Sequence, residues 1–175
     1  MTGDLVTLRH ARLADIPLLR RWESEPHIVE ISGDDGGWDW ETEIAQDVSW
    51  REMLIAELGG SPIGFIQIID PHEEETHYWG DCESGLRAID IWIGEADCLG
   101  RGYGTQMMRQ ALDRCFSVPD VQAVLIDPLA SNERAIRFYR KIGFQFVERR
   151  TFGDDDCFVM RLERTSFECE RSSSH

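Results

Sequence analysis

The sequence contains no apolar run long enough to cross a bilayer as a helix, so no membrane association is expected. Cations are scarce. Eighteen lysines and arginines stand against 33 aspartates and glutamates, a formal net charge of −15 over 175 residues. Such a field repels nucleic acid and anionic lipid, and neither is an expected partner. Solubility is one use of the surplus acid, and attraction of a cationic ligand is another. There is no C-x-x-C pair, and the five cysteines (Cys82, Cys98, Cys115, Cys157 and Cys169) are odd in number and widely spaced. That pattern argues against a disulfide framework or a zinc site and for a reducing cytoplasm. His72 and His77 stand among glutamates without a recognised ligand spacing, so no metal is expected. The N-terminal stretch MTGDLVTLRHARLAD carries too much charge for a signal peptide.

What is present is enough apolar material for a core: 42% hydrophobic residues, six of them tryptophan. With no repeat and no linker, a single domain over residues 1–169 is expected, followed by a frayed, serine-rich tail at 170–175. Val6 to Arg9 alternates as a strand, and Asp15 is a candidate cap for a helix burying Leu18, Leu19 and Trp22. Residues 25–49 read as irregular structure or short helices. Arg51 to Leu58 and Ile63 to Ile69 read as strands joined by a Gly-Gly-Ser-Pro hairpin turn. A polar loop follows from His72 to Ser84. AIDIWI, residues 88–93, alternates as a strand with Ala88, Asp90 and Trp92 on one face. Met107, Met108, Ala111, Leu112, Cys115 and Phe116 form a helical stripe. Val121 to Ile126 is another strand. Ser131 or Asn132 caps a helix that Gly143 stops, and two strands close the chain around the turn GDDD. The tally is a mixed α/β domain.

Between AIDIWI and the methionine stripe lies CLGRGYGT, with glycines at 100, 102 and 104. The dinucleotide pattern G-x-G-x-x-G fails because Thr105 takes the third glycine position, and no Gly-Lys-Ser/Thr follows for a mononucleotide loop. A glycine-rich turn feeding a helix can still form a nest of amides for an anion, although an ordinary turn uses the same residues. One strand later stands DPLASNERAIRFYRKIGF, residues 127–144.

This pair of stretches resembles the GCN5-related N-acetyltransferases, whose glycine-rich loop binds the pyrophosphate of acetyl-CoA. The resemblance implies an α/β fold with a central mixed, mostly antiparallel sheet, splayed at the acetyl-CoA site and flanked by helices. Within that family the chain is similar to the aminoglycoside 6'-N-acetyltransferases of the Ib type. The likeness rests on W…HIVE at residues 22 and 27–30, GSPIGFIQ at 60–67, GLRAIDIWI at 85–93, LGRGYGT at 99–105, the 126–144 run and the acidic turn at Asp154. One departure is Leu99, where the wider family has Gln or Arg before its glycines.

The resemblance implies acetyl transfer from acetyl-CoA to the 6'-amine of an aminoglycoside by direct attack in a ternary complex, which confers antibiotic resistance. The same fold acting on a siderophore precursor or a polyamine is the alternative, and a non-catalytic CoA- or antibiotic-binding module a more distant one. A monomer or homodimer is expected. The implied cofactor-binding residues are Arg101, Gly102, Tyr103, Gly104 and Thr105 around the pyrophosphate, with Asn132 and Arg137 on the following helix. Backbone amides of Trp92 and Ile93 are the expected oxyanion donors. Tyr139 matches the family's proton donor, and a phenol is protonated at neutral pH; a core aromatic is its other role. Asp90, a carboxylate in an otherwise apolar strand, is expected to be buried and to take the amine's proton. Asp127 and Asp154 match further anionic contacts to the antibiotic, with Glu83 or Asp39 as additions and turn capping as the competing role for Asp127. Trp38 and Trp79 are candidate flat surfaces for sugar rings, and Trp92 a third for which core packing competes.

Overall fold

A computed structural model describes residues 5–32 and 37–174 of the chain. Its seven strands form one sheet in the order β1-β2-β3-β4-β5-β7-β6. They are β1 (Val6–His10), β2 (Arg51–Leu58), β3 (Ser61–Ile69), β4 (Leu86–Ile93), β5 (Ala123–Ile126), β6 (Gln145–Phe152) and β7 (Asp155–Glu163). β4 runs parallel to β5, with Leu86 opposite Ala123, while β1 with β2, β5 with β7 and β6 with β7 are antiparallel. The mixed α/β expectation holds. Along the chain the structure divides into two compact units, one of residues up to Ile68 with Asp90–Ala111, the other of Ile69–Ile89 with Leu112 onward.

In the first unit, α1 (Ile16–Glu23) forms where Ile16, Leu19 and Trp22 recur at helical spacing and Pro17 occupies the first turn; all three apolar residues are buried. Asp15 stands at its N-cap position, yet its carboxylate does not cap α1. It turns back to accept two hydrogen bonds from the Arg9 guanidinium and one from the Arg12 amide, each 2.8 Å. Arg9 holds the Asp15 carboxyl below its usual range. A depressed carboxylate pKa adds stability above the unfolded-state value and loses it as pH falls through the folded one. Asp15→Ala should therefore cost about 2 kcal/mol at neutral pH, with the deficit closing below pH ~4. Urea melts of both proteins across pH 3–7 measure this.

Residues 25–49, expected to be irregular or to form short helices, contribute two short helices among the described residues, α2 (Pro26–Val29) and α3 (Trp40–Ala45). Asp39 caps α3, accepting from the Thr42 amide and hydroxyl at 3.3 and 2.8 Å, a structural use of a residue considered for substrate binding. Gly59 and Gly60, both at positive φ, make the β2–β3 turn.

In the second unit β6 and β7 form a hairpin whose turn is Gly153-Asp154, narrower than the GDDD stretch because Phe152 already faces Asp155. α5 (Glu133–Ile142) buries Ile136 and Tyr139. The C-terminal tail expected to fray is helical through Ser173, in α6 (Arg164–Ser173). Its sequence has little helix propensity, so tertiary contacts hold it. The Arg164 guanidinium donates to the carbonyls of Phe116, Val118 and Val121, and Phe167 meets Phe116 at 4.9 Å between ring centroids. α4 (Tyr103–Ser117) buries the predicted stripe from Met107 to Phe116.

Candidate active site

The loop before α4 has the conformation that its glycines predict. Gly100 and Gly102 stand at φ 70° and 83°, a region that costs any other residue strain. The Gly102 carbonyl accepts from the Gln106 amide at 3.3 Å, so Gly102 opens α4, and Tyr103, Gly104 and Thr105 form its first turn. First-turn amides have no acceptor within their own helix, and the dipole of a 15-residue helix adds positive potential there. These residues fit a pyrophosphate. Arg101 and Gly102 are exposed, whereas the Tyr103 ring is buried and leaves only its backbone for a ligand. Gly104 lies in regular helix.

A side chain built on Gly102 meets no protein atom within 4 Å, so the space over it is open. Gly102→Val should cost about 1–3 kcal/mol in backbone strain and raise the KM for acetyl-CoA by about tenfold or more through lost close approach. Calorimetric titration of the folded variant with acetyl-CoA measures it; unchanged affinity would refute the pyrophosphate assignment.

In the same unit, period-two alternation puts Phe65 and Gln67 of β3 on one face, and Asp90 and Trp92 of β4 on one face. The two pairs meet. Gln67 Nε2 donates to Asp90 Oδ2 at 2.8 Å, and the Phe65 and Trp92 rings lie 4.6 Å apart. Asp90 is thus half-buried and hydrogen-bonded, a correction to the expectation of a buried carboxylate. The amide of Gln67 fixes the orientation of the carboxylate.

Gly64 makes the β3–β4 approach possible. A Cβ there would stand 2.6 Å from the Trp92 carbonyl oxygen and 2.8 Å from Met107 Cε. The Ile93 carbonyl lies 2.9 Å from His27 Nε2, which fixes the end of β4. Trp38, a candidate sugar platform, and Trp92, for which core packing is the competing role, both pack partly buried against a core cluster that holds Trp40 and Phe65. Trp38 stacks on Trp40 at 4.9 Å, and its ring lies 6.2 Å from that of Trp92.

In the second unit Asp127, just beyond β5, accepts a 2.7 Å hydrogen bond from the Tyr78 hydroxyl. Tyr78 stacks on Phe152 at 4.6 Å and 8°. Trp79, a candidate flat surface for sugar rings, is only 5% exposed and packs edge-on to Phe152; the half-exposed ring is its neighbour Tyr78. Nothing in HYWG marked which aromatic would face out. A cavity of about 320 Å³ lies here, lined by residues 77–80 and 150–153. Asp154 is exposed in the adjoining turn. Glu83 is exposed and bridges Arg161 at 3.3 Å.

On α5, Asn132 caps the helix through Oδ1, which accepts from the Ala135 amide at 3.2 Å. The Tyr139 ring is buried beside Phe138 and Phe144. Arg137 is exposed and pairs with Glu133 one turn earlier at 3.4 Å. Among the described residues no group of three His, Cys, Asp or Glu is placed to hold a metal ion, and no helix is long and apolar enough to cross a membrane.

Residues 12–152 match the family model described as an acetyltransferase (GNAT) domain. The chain is 33% identical to an aminoglycoside N(6')-acetyltransferase type 1 of Klebsiella pneumoniae, over 98% of this chain and 89% of that protein. It is similar to the solved structure of AAC(6')-Ib in complex with parmomycin and acetyl-CoA, with a TM-score of 0.85 and 32% identity over 96% of this chain and 98% of that one. A structure of the same enzyme name with coenzyme A and kanamycin gives a TM-score of 0.83 and 32% identity, covering 95% of this chain and 99% of that one.

Proposed function

Because the chain belongs to the acetyltransferase (GNAT) family, we propose that it transfers the acetyl group of acetyl-CoA to the 6'-amine of aminoglycosides, and thereby confers resistance to them. The reading is supported above all by one observation: the likeness to enzymes crystallised with an aminoglycoside and either acetyl-CoA or coenzyme A runs along nearly the whole chain. The surplus of acid fits it, since a field of −15 concentrates a multiply protonated aminosugar.

Bound acetyl-CoA supplies the activated acetyl group as a thioester. In this proposal the amides of Arg101, Gly102, Tyr103, Gly104 and Thr105 hold its pyrophosphate. Asn132, with Oδ1 engaged as a cap, offers its Nδ2 donors to the pantetheine arm, and Arg137 attracts the phosphates from the surface. Asp127 and Asp154, with Glu83 at the periphery, bind ammonium groups of the antibiotic by charge-assisted hydrogen bonds. Asp90 orients the 6'-ammonium and takes its proton, directly or through water, leaving the amine neutral for attack. Backbone N–H groups of Trp92 and Ile93 stabilise the carbonyl oxygen as charge builds on it. Tyr139 gives its phenolic proton to the departing sulfur. Attack is direct, within a ternary complex, so no acyl group is parked on the protein. The enzyme works as a monomer or homodimer in a reducing cytoplasm.

The test is a thiol-release assay of the purified protein with acetyl-CoA across kanamycin, tobramycin, spermidine and lysine-type amines. Turnover confined to the aminoglycosides, with product acetylated at the 6'-amine, supports the proposal. Faster turnover of spermidine or the lysine-type amines would replace it with the same chemistry on another acceptor.

A further inference from the structure

We infer that Tyr78 is a positioning residue for the acceptor site, its hydroxyl fixing the orientation of Asp127 for an ammonium of the antibiotic. The inference rests on the aminoglycoside reading above and extends it to a residue outside the acids and the aromatic shelf considered from sequence.

Tyr78 is 47% exposed, yet it is held from three sides. Its hydroxyl donates to Asp127 Oδ2 at 2.7 Å, across 49 residues of sequence. Its ring lies flat on Phe152, which is buried. Its backbone amide donates to Glu74 Oε2 at 3.0 Å, while the Thr76 amide donates to the other oxygen of the same carboxylate at 2.7 Å. Glu74 is 6% exposed, an unusual depth for a carboxylate in a surface loop. Burial pushes its pKa up, but the hydrogen bonds from Thr76 and Tyr78 outweigh that and leave it below the usual carboxylate range. Between these two amides His77 takes φ 52°, a left-handed conformation that a non-glycine residue keeps only when its surroundings impose it.

Ordering a half-exposed aromatic this thoroughly costs conformational entropy that its own modest burial does not recover. The cost is offset if the ordered group has a task, and the task available is Asp127. An aspartate at the end of a strand has two torsions with which to wander. A phenol fixed at ring and backbone donates to one carboxylate oxygen and so limits how far the carboxylate can turn. Tyrosine is suited to this where phenylalanine is not, because both stack alike and only one donates.

The experiment is a double-mutant cycle with Tyr78→Phe, Asp127→Asn and the pair, read as separate KM and kcat values for tobramycin at saturating acetyl-CoA, with melting curves for each protein. Tyr78→Phe should raise the tobramycin KM about 3- to 10-fold, leave kcat within about twofold, and leave the acetyl-CoA KM unchanged. In the Asp127→Asn background the same change should have almost no further effect, since the negative charge that the hydroxyl orients is gone. Tyr78→Trp, which keeps an aromatic stack and a donor, should restore part of the affinity. Additive effects in the cycle would overturn the inference while leaving the aminoglycoside reading intact. A parent enzyme with no aminoglycoside turnover would overturn the aminoglycoside reading and the inference with it. A fall in kcat matched by a fall in melting temperature would show Tyr78 to be a packing residue only.

Discussion

Asp90→Asn is expected to lower kcat/KM for an aminoglycoside by at least ~10²-fold while leaving acetyl-CoA affinity nearly unchanged. The substitution is conservative for the fold. Asn keeps an oxygen that can accept from Gln67 Nε2, the bond that holds Asp90 at 2.8 Å. What it removes is the negative charge, and with it both the attraction for an ammonium and the capacity to take its proton. These two losses fall on the acceptor alone, because the phosphates are assigned to the loop that opens α4. In cells the variant should lose any protection against kanamycin or tobramycin that the parent confers. Steady-state kinetics at saturating acetyl-CoA, beside a melting curve, decide the matter. Full activity in a folded Asp90→Asn enzyme would move the base to Asp127 or to a chain of waters.

Tyr139→Phe should lower kcat by roughly 10²-fold. The ring sits on the buried side of α5 between Phe138 and Phe144, and phenylalanine fills the same volume. The phenolic hydroxyl is lost, and with it the proton. A departing thiolate then takes its proton from water, with no donor positioned to meet it. Single-turnover kinetics with the thiol trapped as it forms isolate this step from product release. Wild-type turnover with chemistry rate-limiting would show that Tyr139 serves the helix's apolar face and nothing more.

Periodicity was informative where one rule acted alone. α4 and α5 follow from the methionine stripe and from Asn132 with Gly143. The β2–β3 hairpin follows from a Gly-Gly pair whose positive φ values suit the turn. Where local and distant preferences compete, local reading failed. Asp15 has the form of a cap, but Arg9 offers two charge-assisted hydrogen bonds in place of one from an amide. α6 has weak propensity and exists because Arg164 finds three carbonyls.

The candidate site divides in the same way. Its loop was legible because glycine is the residue that takes positive φ without strain, and Asp90 because a carboxylate is conspicuous in an apolar strand; Asp127 and Asp154, outside the strands, followed from the family resemblance alone. The aromatics were not. Trp79 and Tyr78 are adjacent, and only the depth of Phe152 and the Glu74 clamp decide which ring turns outward. Gln67 escaped notice because an amide in a strand carries no signal until its partner is placed.

The placement of the indoles makes the protein spectroscopically lopsided. Trp22, Trp38, Trp40, Trp50 and Trp92 all belong to the unit that carries the glycine loop, and Trp79 stands alone in the other. Trp38 and Trp40, stacked 10° from parallel, are close enough for their electronic transitions to couple, which gives circular dichroism a signal that isolated indoles lack. Tryptophan emission and that coupled band therefore follow the first unit almost exclusively. Of the three tyrosines, Tyr78 and Tyr139 belong to the second unit and Tyr103 to the first. A melt followed by that coupled band would report the loss of the first unit's indole packing, without any label attached.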